Sequence, residues 1–263
     1  MTALDCTFDD GIATLTFNNP PQNRLSTALS TALAAAVQDV AQRTDARVLL
    51  LNANGPDFSY GGDISAWPGM SAEQFNEALT QTLALANLFQ DLPIPLVVAV
   101  QGYCGGGGFE LALRGDIIIA ADNAKFCHSE ASIGVYTFLG GVQRVAERVG
   151  RTRATQWAFT AEQVDAHTAA EAGLVNEVTP LADLDQIAQA WAQRLRDGAT
   201  LAHAAHKKIM RAWSNGGIEA ADALLTGMAG QILHSSDTQE CLPAAIAASQ
   251  AGDSRPTFKF QGK

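Results

Sequence analysis

The chain has 263 residues, of which 47% are hydrophobic and 17% charged, and it carries a formal net charge of −10. That length and apolar content suit one large globular core, and the charge disfavours nucleic acid and anionic membrane, which are held mainly by Lys and Arg. The apolar runs "PIPLVVAV" and "DIIIAAD" are too short to cross a bilayer, and "MTALDCTFDDG" lacks a signal peptide's basic and apolar segments, so a cytoplasmic location is expected. Cys6, Cys104, Cys127 and Cys241 have no paired metal-ligand spacing and read as reduced thiols.

In chain order, "GIATLTF" alternates apolar and polar residues as a half-buried strand does, and the turn-rich "NNPPQNR" follows. Leu29, Leu33, Val37 and Val40 recur at helical spacing behind Ser26, a candidate N-cap. "RVLLLNA" predicts a buried strand running into the loop "NGPDFSYGGDISAW", and residues 71 to 91 predict a helix stopped by the prolines of "LPIPLVVAVQG". A further strand, the glycine run "GYCGGGGFEL", a short helix, the strand "GDIIIAA" and the loop "FCHSEASIGVYTFLGG" come next. This alternation predicts an α/β fold with covered sheets over residues 1 to 196, and "TLAHAAHKKIMRAW", "GIEAADALLTGMAGQIL" and "DTQECLPAAIAAS" predict a helical region over 197 to 263.

Two loops draw chemical interest, "YGGD" at 60 to 63 and "GGGGFE" at 105 to 110, because each places glycines where a buried strand turns toward a helix. Their backbone N–H groups could converge as an oxyanion hole, although tight turns with close packing would read the same way. No Lys-Ser/Thr pair follows as in a phosphate loop, the dinucleotide fingerprint is weak, and the G-x-S-x-G turn of a hydrolase is missing. Glu110 is either an acid–base group or the i+4 partner of Arg114, and Glu130 is either a second acid–base group or a solvated loop residue. If both carboxyls reached one cleft, each would raise the other's pKa. His128 reads as structural or cleft-lining, and His203 with His206 lacks a third ligand, so no metal is assigned.

Taken together, "DFSYGGDI", "PLVVAVQGYCGGGGFELALRGDIIIAADNAKFCHSEASIG", "GGVQRVAERVGRTRA" and "FTAEQVDAHTAAEAGLVNEV" resemble the crotonase superfamily, most of all its enoyl-CoA hydratases; the likeness runs from "GIATLTFNNPPQNRLS" to "RPTFKFQG". The resemblance implies a spiral of repeated ββα units with a C-terminal helical region for trimerisation, commonly as a dimer of trimers. It also implies an acyl-CoA thioester as substrate and no cofactor beyond the substrate's own coenzyme A. Carried over by position, Gly62 and Gly107 would form the oxyanion hole and Glu110 and Glu130 would be the catalytic glutamates. The backbone at Tyr60 would receive the adenine, and Arg24 and Lys207 would meet the phosphates.

The implied reaction is addition of water across C2=C3 of a 2-enoyl-CoA, or its reverse, with water activation mainly at Glu110 and proton delivery at Glu130. Ser129 stands where hydratases usually have proline, and "TFLGG" where they carry a "PGAGG"-type stretch; Phe138 fills a place where related isomerases and dehydratases can hold a catalytic aspartate, so proton transfer from that point is not expected. Trp67, Tyr136 and Phe138 could line an apolar acyl pocket or be ordinary core. The alternatives are another enolate reaction (isomerisation, thioester hydrolysis or carbon–carbon cleavage) and an idle acyl-CoA-binding scaffold, which the two glutamates and both glycines disfavour.

Overall fold

The structure is a computed structural model describing residues 2–254 and 256–262; Met1, Lys263 and Arg255, which opens the closing "RPTFKFQG" segment, lie outside it. Strands β1 (Leu4–Asp9) and β2 (Ile12–Phe17) form an antiparallel hairpin. Strands β3 (Val48–Ala53), β4 (Leu96–Val100), β6 (Ile117–Ala121) and β9 (Glu177–Thr179) continue it in parallel, giving the sheet order β1-β2-β3-β4-β6-β9. A smaller sheet holds β5 (Tyr103–Gly105), β7 (Lys125–Cys127) and β8 (Val164–Asp165) in the order β5-β7-β8.

The apolar runs read as buried strands owe their continuity to burial on both faces: every residue of β4 is buried, as are Val48 to Leu51 of β3. β1 escapes a reading by alternation because it is an edge strand that buries only Leu4.

The two sheets explain the spiral. β4 leaves the large sheet and continues through Gln101 and Gly102 as β5 of the small one, then enters helix α3 (Gly107–Ala112). β6 likewise passes into β7, and a single bridge from Ser59 to Cys104 marks the corresponding crossing after β3. Each turn therefore delivers its chain to the same rim, where the glycine loops lie.

Helix α1 (Thr27–Gln42) is capped by Ser26, whose side chain accepts from Leu29 N–H, and buries Leu29, Leu33, Val37 and Val40. Helix α2 (Ala72–Asp91) starts with a reciprocal Ser71–Gln74 capping box. Helices α4 (Gly141–Val149), α5 (Arg151–Thr160) and α6 (Ala166–Glu171) follow the second glutamate. Helix α7 (Leu184–Arg196) closes the back of the large sheet with Leu184, Ala188 and Ala192 against Val48, Leu50, Val97 and Ile119.

Helices α8 (Thr200–Leu233) and α9 (Ser236–Ala251) bury little; α8 joins two of the expected helices through a kink at Gly217, whose φ is 74°. Arg47 ties this region to the core by donating to Thr200 Oγ1, Gly198 O and Phe260 O. Asp237 accepts from the backbone N–H groups of Gln261 and Gly262.

At the rim, Gly61 has φ of 82°, and a Cβ there would stand 2.7 Å from Gly107 N and 2.9 Å from Gly105 O. Only glycine permits both the backbone angle and the contact. Gly61→Ala is expected to cost about 2–4 kcal/mol, combining left-handed strain with overpacking. Thermal unfolding should show it as a midpoint lowered by roughly 5–10 °C; an unchanged midpoint would mean the loops do not press on one another.

Candidate active site

Leu25 organises the first loop by donating to Gly61 O at 2.9 Å and accepting from Asp63 N–H at 3.3 Å, which leaves the intervening Gly62 N–H without a backbone partner among the described residues. Gly107 begins α3, so its N–H has no acceptor within the helix. A Cβ on Gly107 would lie 3.5 Å from Gly62 N, so the two free amides border one space. The structure thus brings together the two glycines singled out from the sequence.

Glu110 sits on the first turn of α3 and is 2% exposed. Its Oε1 accepts from Leu139 N–H and Gly141 N–H, each at 2.8 Å. The alternative that it pairs with Arg114 is not realised. Arg114 donates instead to Asn87 Oδ1 at 2.8 Å, Gln90 Oε1 at 2.7 Å and Leu139 O at 2.7 Å, while Arg144 holds Gly140 O at 2.9 Å. Residues 139 to 141 of "TFLGG" are therefore gripped from both sides, and their amides are aimed at Glu110.

Glu130 is the second residue of a short 3-10 turn, Ser129–Ile133, and is 8% exposed, so it is not a solvated loop residue. Neither of its carboxyl oxygens has a hydrogen-bond partner among the described residues. Burial raises its pKa, with only its own backbone N–H pulling the other way. Glu110 is pushed up to about 8, first by burial and second by the Glu130 carboxylate, against the pull of Gly141 N–H, Leu139 N–H and Arg114. Burial raises both carboxyls, and the charge of one opposes ionisation of the other, so they titrate as a coupled pair. The two N–H donors favour the negative form of Glu110, whereas Glu130 has no hydrogen-bond donor from another residue among the described residues.

Arg24 and Tyr60 meet beside the Gly62 loop. The Arg24 guanidinium lies 5.7 Å from the Tyr60 ring centroid and donates to Gly62 O at 3.3 Å, and the Tyr60 ring packs on Tyr103 at 4.5 Å. Lys207 does not join them. Its ammonium donates to Asp116 Oδ2 at 2.7 Å and Ile94 O at 2.8 Å, in a cleft lined by His203, His206 and Trp213. No hydrogen bond or ring contact among the described residues links it to Arg24 or Tyr60, and a cation already neutralised by Asp116 is a poor phosphate ligand.

Trp67, Phe138 and Tyr136 come together, with Phe75 of α2 completing the group. Centroid separations are 5.7 Å for Trp67–Phe138, 5.2 Å for Phe75–Phe138 and 4.6 Å for Tyr136–Phe138. A Cβ on Gly62 would be 3.8 Å from the Trp67 ring, so this aromatic wall abuts the free amide. None of the four rings is fully buried, which sets them apart from core phenylalanines such as Phe17 and Phe58. Sequence reading missed Phe75, which looks like any apolar position of an amphipathic helix, and the Arg114 clamp, whose partners lie on other elements.

The family model described as "Enoyl-CoA hydratase/isomerase" matches residues 7–245. The carnitinyl-CoA dehydratase of Salmonella typhi is 32% identical over 254 residues, covering 95% of this chain and 97% of its own. That of Salmonella typhimurium strain LT2 is 33% identical over 218 residues, covering 82% and 83%. Among solved structures, an enoyl-CoA hydratase subunit I from Geobacillus kaustophilus HTA426 superposes with a TM-score of 0.89 at 26% identity, over 99% of this chain and 98% of that one. An enoyl-CoA hydratase from Mycobacterium smegmatis gives 0.87 at 25% identity over 98% and 99%. The spiral of ββα turns, the paired glycine loops and these likenesses agree: the chain belongs to the crotonase-fold enoyl-CoA hydratase/isomerase family.

Proposed function

We propose that the protein hydrates a 2-enoyl-CoA, or dehydrates the corresponding 3-hydroxyacyl-CoA, through a thioester enolate. The observation that carries this is the pair of buried carboxyls beside two amides: Glu110 has its oxygen fixed by Leu139 and Gly141, and among the described residues Glu130 has no hydrogen-bond partner and the Gly62 and Gly107 N–H groups have no acceptor. In the hydration direction Glu110 takes a proton from water as the water oxygen bonds to C3. Glu130 gives its proton to C2, and the amides hold the negative thioester oxygen between these events. The pair ends with one proton still between its members.

In this reading the coenzyme A lies along Tyr60 and Arg24, and the acyl group reaches the wall of Trp67, Phe75, Phe138 and Tyr136. Lys207 is not given a place in it. Carnitinyl-CoA is itself a 3-hydroxyacyl-CoA with a quaternary ammonium end, so the activity named for the Salmonella relatives is the dehydration direction of the proposed reaction. Aromatic faces suit such a cation as well as an apolar chain.

The exposed Met210, Trp213, Ile218, Leu225 and Leu233 of α8 support assembly into a trimer or a pair of trimers through the C-terminal helices. No helix among the described residues is long and apolar enough to cross a membrane, and a cytoplasmic place fits a CoA substrate.

The deciding assay follows loss of enone absorbance with crotonyl-CoA, longer and aromatic enoyl-CoAs, and crotonobetainyl-CoA, the dehydration product of carnitinyl-CoA. Glu110→Gln and Glu130→Gln are each expected to lower kcat by about 10²–10⁴-fold while CoA binding persists. Full turnover in either variant would remove that glutamate from the chemistry, and no hydration by the wild type would favour another enolate reaction. Sedimentation should find trimers or hexamers; a monomer would reject the assembly.

The raised Glu110 pKa has a thermodynamic signature. The two carboxyls are coupled, so the proton kept up to about pH 8 belongs to the pair; the folded state binds more protons than the unfolded chain, and stability falls as pH rises through that window. Burial lowers the His128 pKa to about 4, so its contribution lies at lower pH, and the range from about pH 6.5 to 8.5 isolates the carboxyls. The wild-type unfolding midpoint should decline across that range, and Glu110→Gln, which keeps an oxygen for both N–H donors, should flatten the decline. Parallel curves would place the raised pKa elsewhere.

A further inference from the structure

His128 is 1% exposed, and neither ring nitrogen has a hydrogen-bond partner among the described residues. Two orphaned nitrogens cost stability, and an apolar side chain of similar size would remove that cost. The ring lies between the two glutamates. Its Nδ1 is 3.9 Å from Glu130 Oε2, and its Cε1 would be 2.5 Å from a Cβ on Gly141, a point that is also 2.9 Å from Glu110 Cγ. Phe109 packs on the ring with centroids 4.8 Å apart. The histidine therefore occupies a fixed slot beside the pair and has an unused donor.

When Glu130 gives its proton to C2, the Glu130 O–H bond breaks as the enolate electron pair forms the new C–H bond, leaving a carboxylate that is buried without a donor. At 3.9 Å the histidine does not yet bond to it, and catalytic hydrogen bonds often tighten only in the reacting complex. We propose that His128 is a positioning residue whose Nδ1–H closes onto the Glu130 carboxylate as it forms, orienting it and supporting its charge without transferring its own proton. Burial keeps the imidazole neutral, so it is a donor of this kind and not a counter-charge. Besides the two glutamates, the charged or titratable groups nearby are Arg114 in the turn after α3, Arg144 of α4, and Cys127 and Tyr103 of the small sheet. None of them is hydrogen-bonded to the Glu130 carboxyl oxygens.

The proposal rests on the hydratase reading and is tested with His128→Leu, His128→Asn and the wild-type full chain. Asparagine places an amide nitrogen at the branch point where histidine has Nδ1; leucine fills the slot without a donor. His128→Leu is expected to keep or raise the unfolding midpoint and leave KM nearly unchanged. Its kcat should fall by roughly 10- to 100-fold, the range of a hydrogen bond to a charged group. Its alkaline limb should move to higher pH, because the ionised form of Glu130 has lost its donor, and His128→Asn should restore most of both.

A leucine variant matching the wild type in kcat and alkaline limb, or an asparagine variant as impaired as leucine, would overturn the role. An infrared titration of the protonated carboxyl band, identified by its loss in Glu130→Gln, needs no turnover. The band should persist to higher pH in His128→Leu, and an unmoved band overturns the proposal. An inactive wild type would instead tell against the hydratase reading, with the band still deciding the question of His128.

Discussion

Two carboxyl groups held inside one protein wall are the constraint around which the rest of the site is arranged. Burying a single carboxylate is costly, and burying two within reach of each other forces them to share a proton. The chain distributes that burden unequally. Glu110 receives two amide donors from a loop that Arg114 and Arg144 pin in place, and Glu130 receives none. Inequality of this kind gives two chemically identical groups different affinities for a proton, which is what the proposed division into base and acid requires. Arg114 acts through the loop: its guanidinium spends its hydrogen bonds on Asn87, Gln90 and Leu139 O, and its charge reaches Glu110 only across space.

Much of this was readable beforehand where a local rule was involved. Ser26 caps its helix, Leu29 through Val40 face inward, and the apolar runs became buried parallel strands, because capping and burial leave a pattern in neighbouring residues. The glycines of "YGGD" and "GGGGFE" were legible as close-approach positions, though not what they approach. That they press on each other depends on the spiral bringing successive turns to one rim. Lys207 shows the reverse failure: a lysine on a helix looks available in sequence, and its partner Asp116 lies 91 residues away. Phe75 is another case, since its meeting with Phe138 joins elements with nothing in common along the chain.

The departures from the usual hydratase pattern gain a physical meaning from the structure. Where a "PGAGG"-type stretch is expected, Thr137, Phe138 and Leu139 leave the backbone amides of Leu139 and Gly141 at the service of Glu110, while Phe138 joins the aromatic wall beside Gly62. The change therefore falls on the aromatic wall and spares the two amides that hold Glu110. Ser129, standing for proline, keeps a hydroxyl near Gly106 and within the surroundings of Tyr103.

The back of the large sheet sets an order for the birth of the molecule. Ile12, Val48, Leu50, Val97, Ala99, Ile119 and Ala121 have all been made long before Leu184, Ala188 and Ala192 of α7, which shield them. At ribosomal speeds of roughly 5–20 residues per second, that apolar face waits several seconds for its cover. A nascent chain is thus most open to aggregation or chaperone capture after its β-strands have emerged and before α7 does, and the vulnerable interval belongs to its timetable of synthesis, which the finished fold no longer displays.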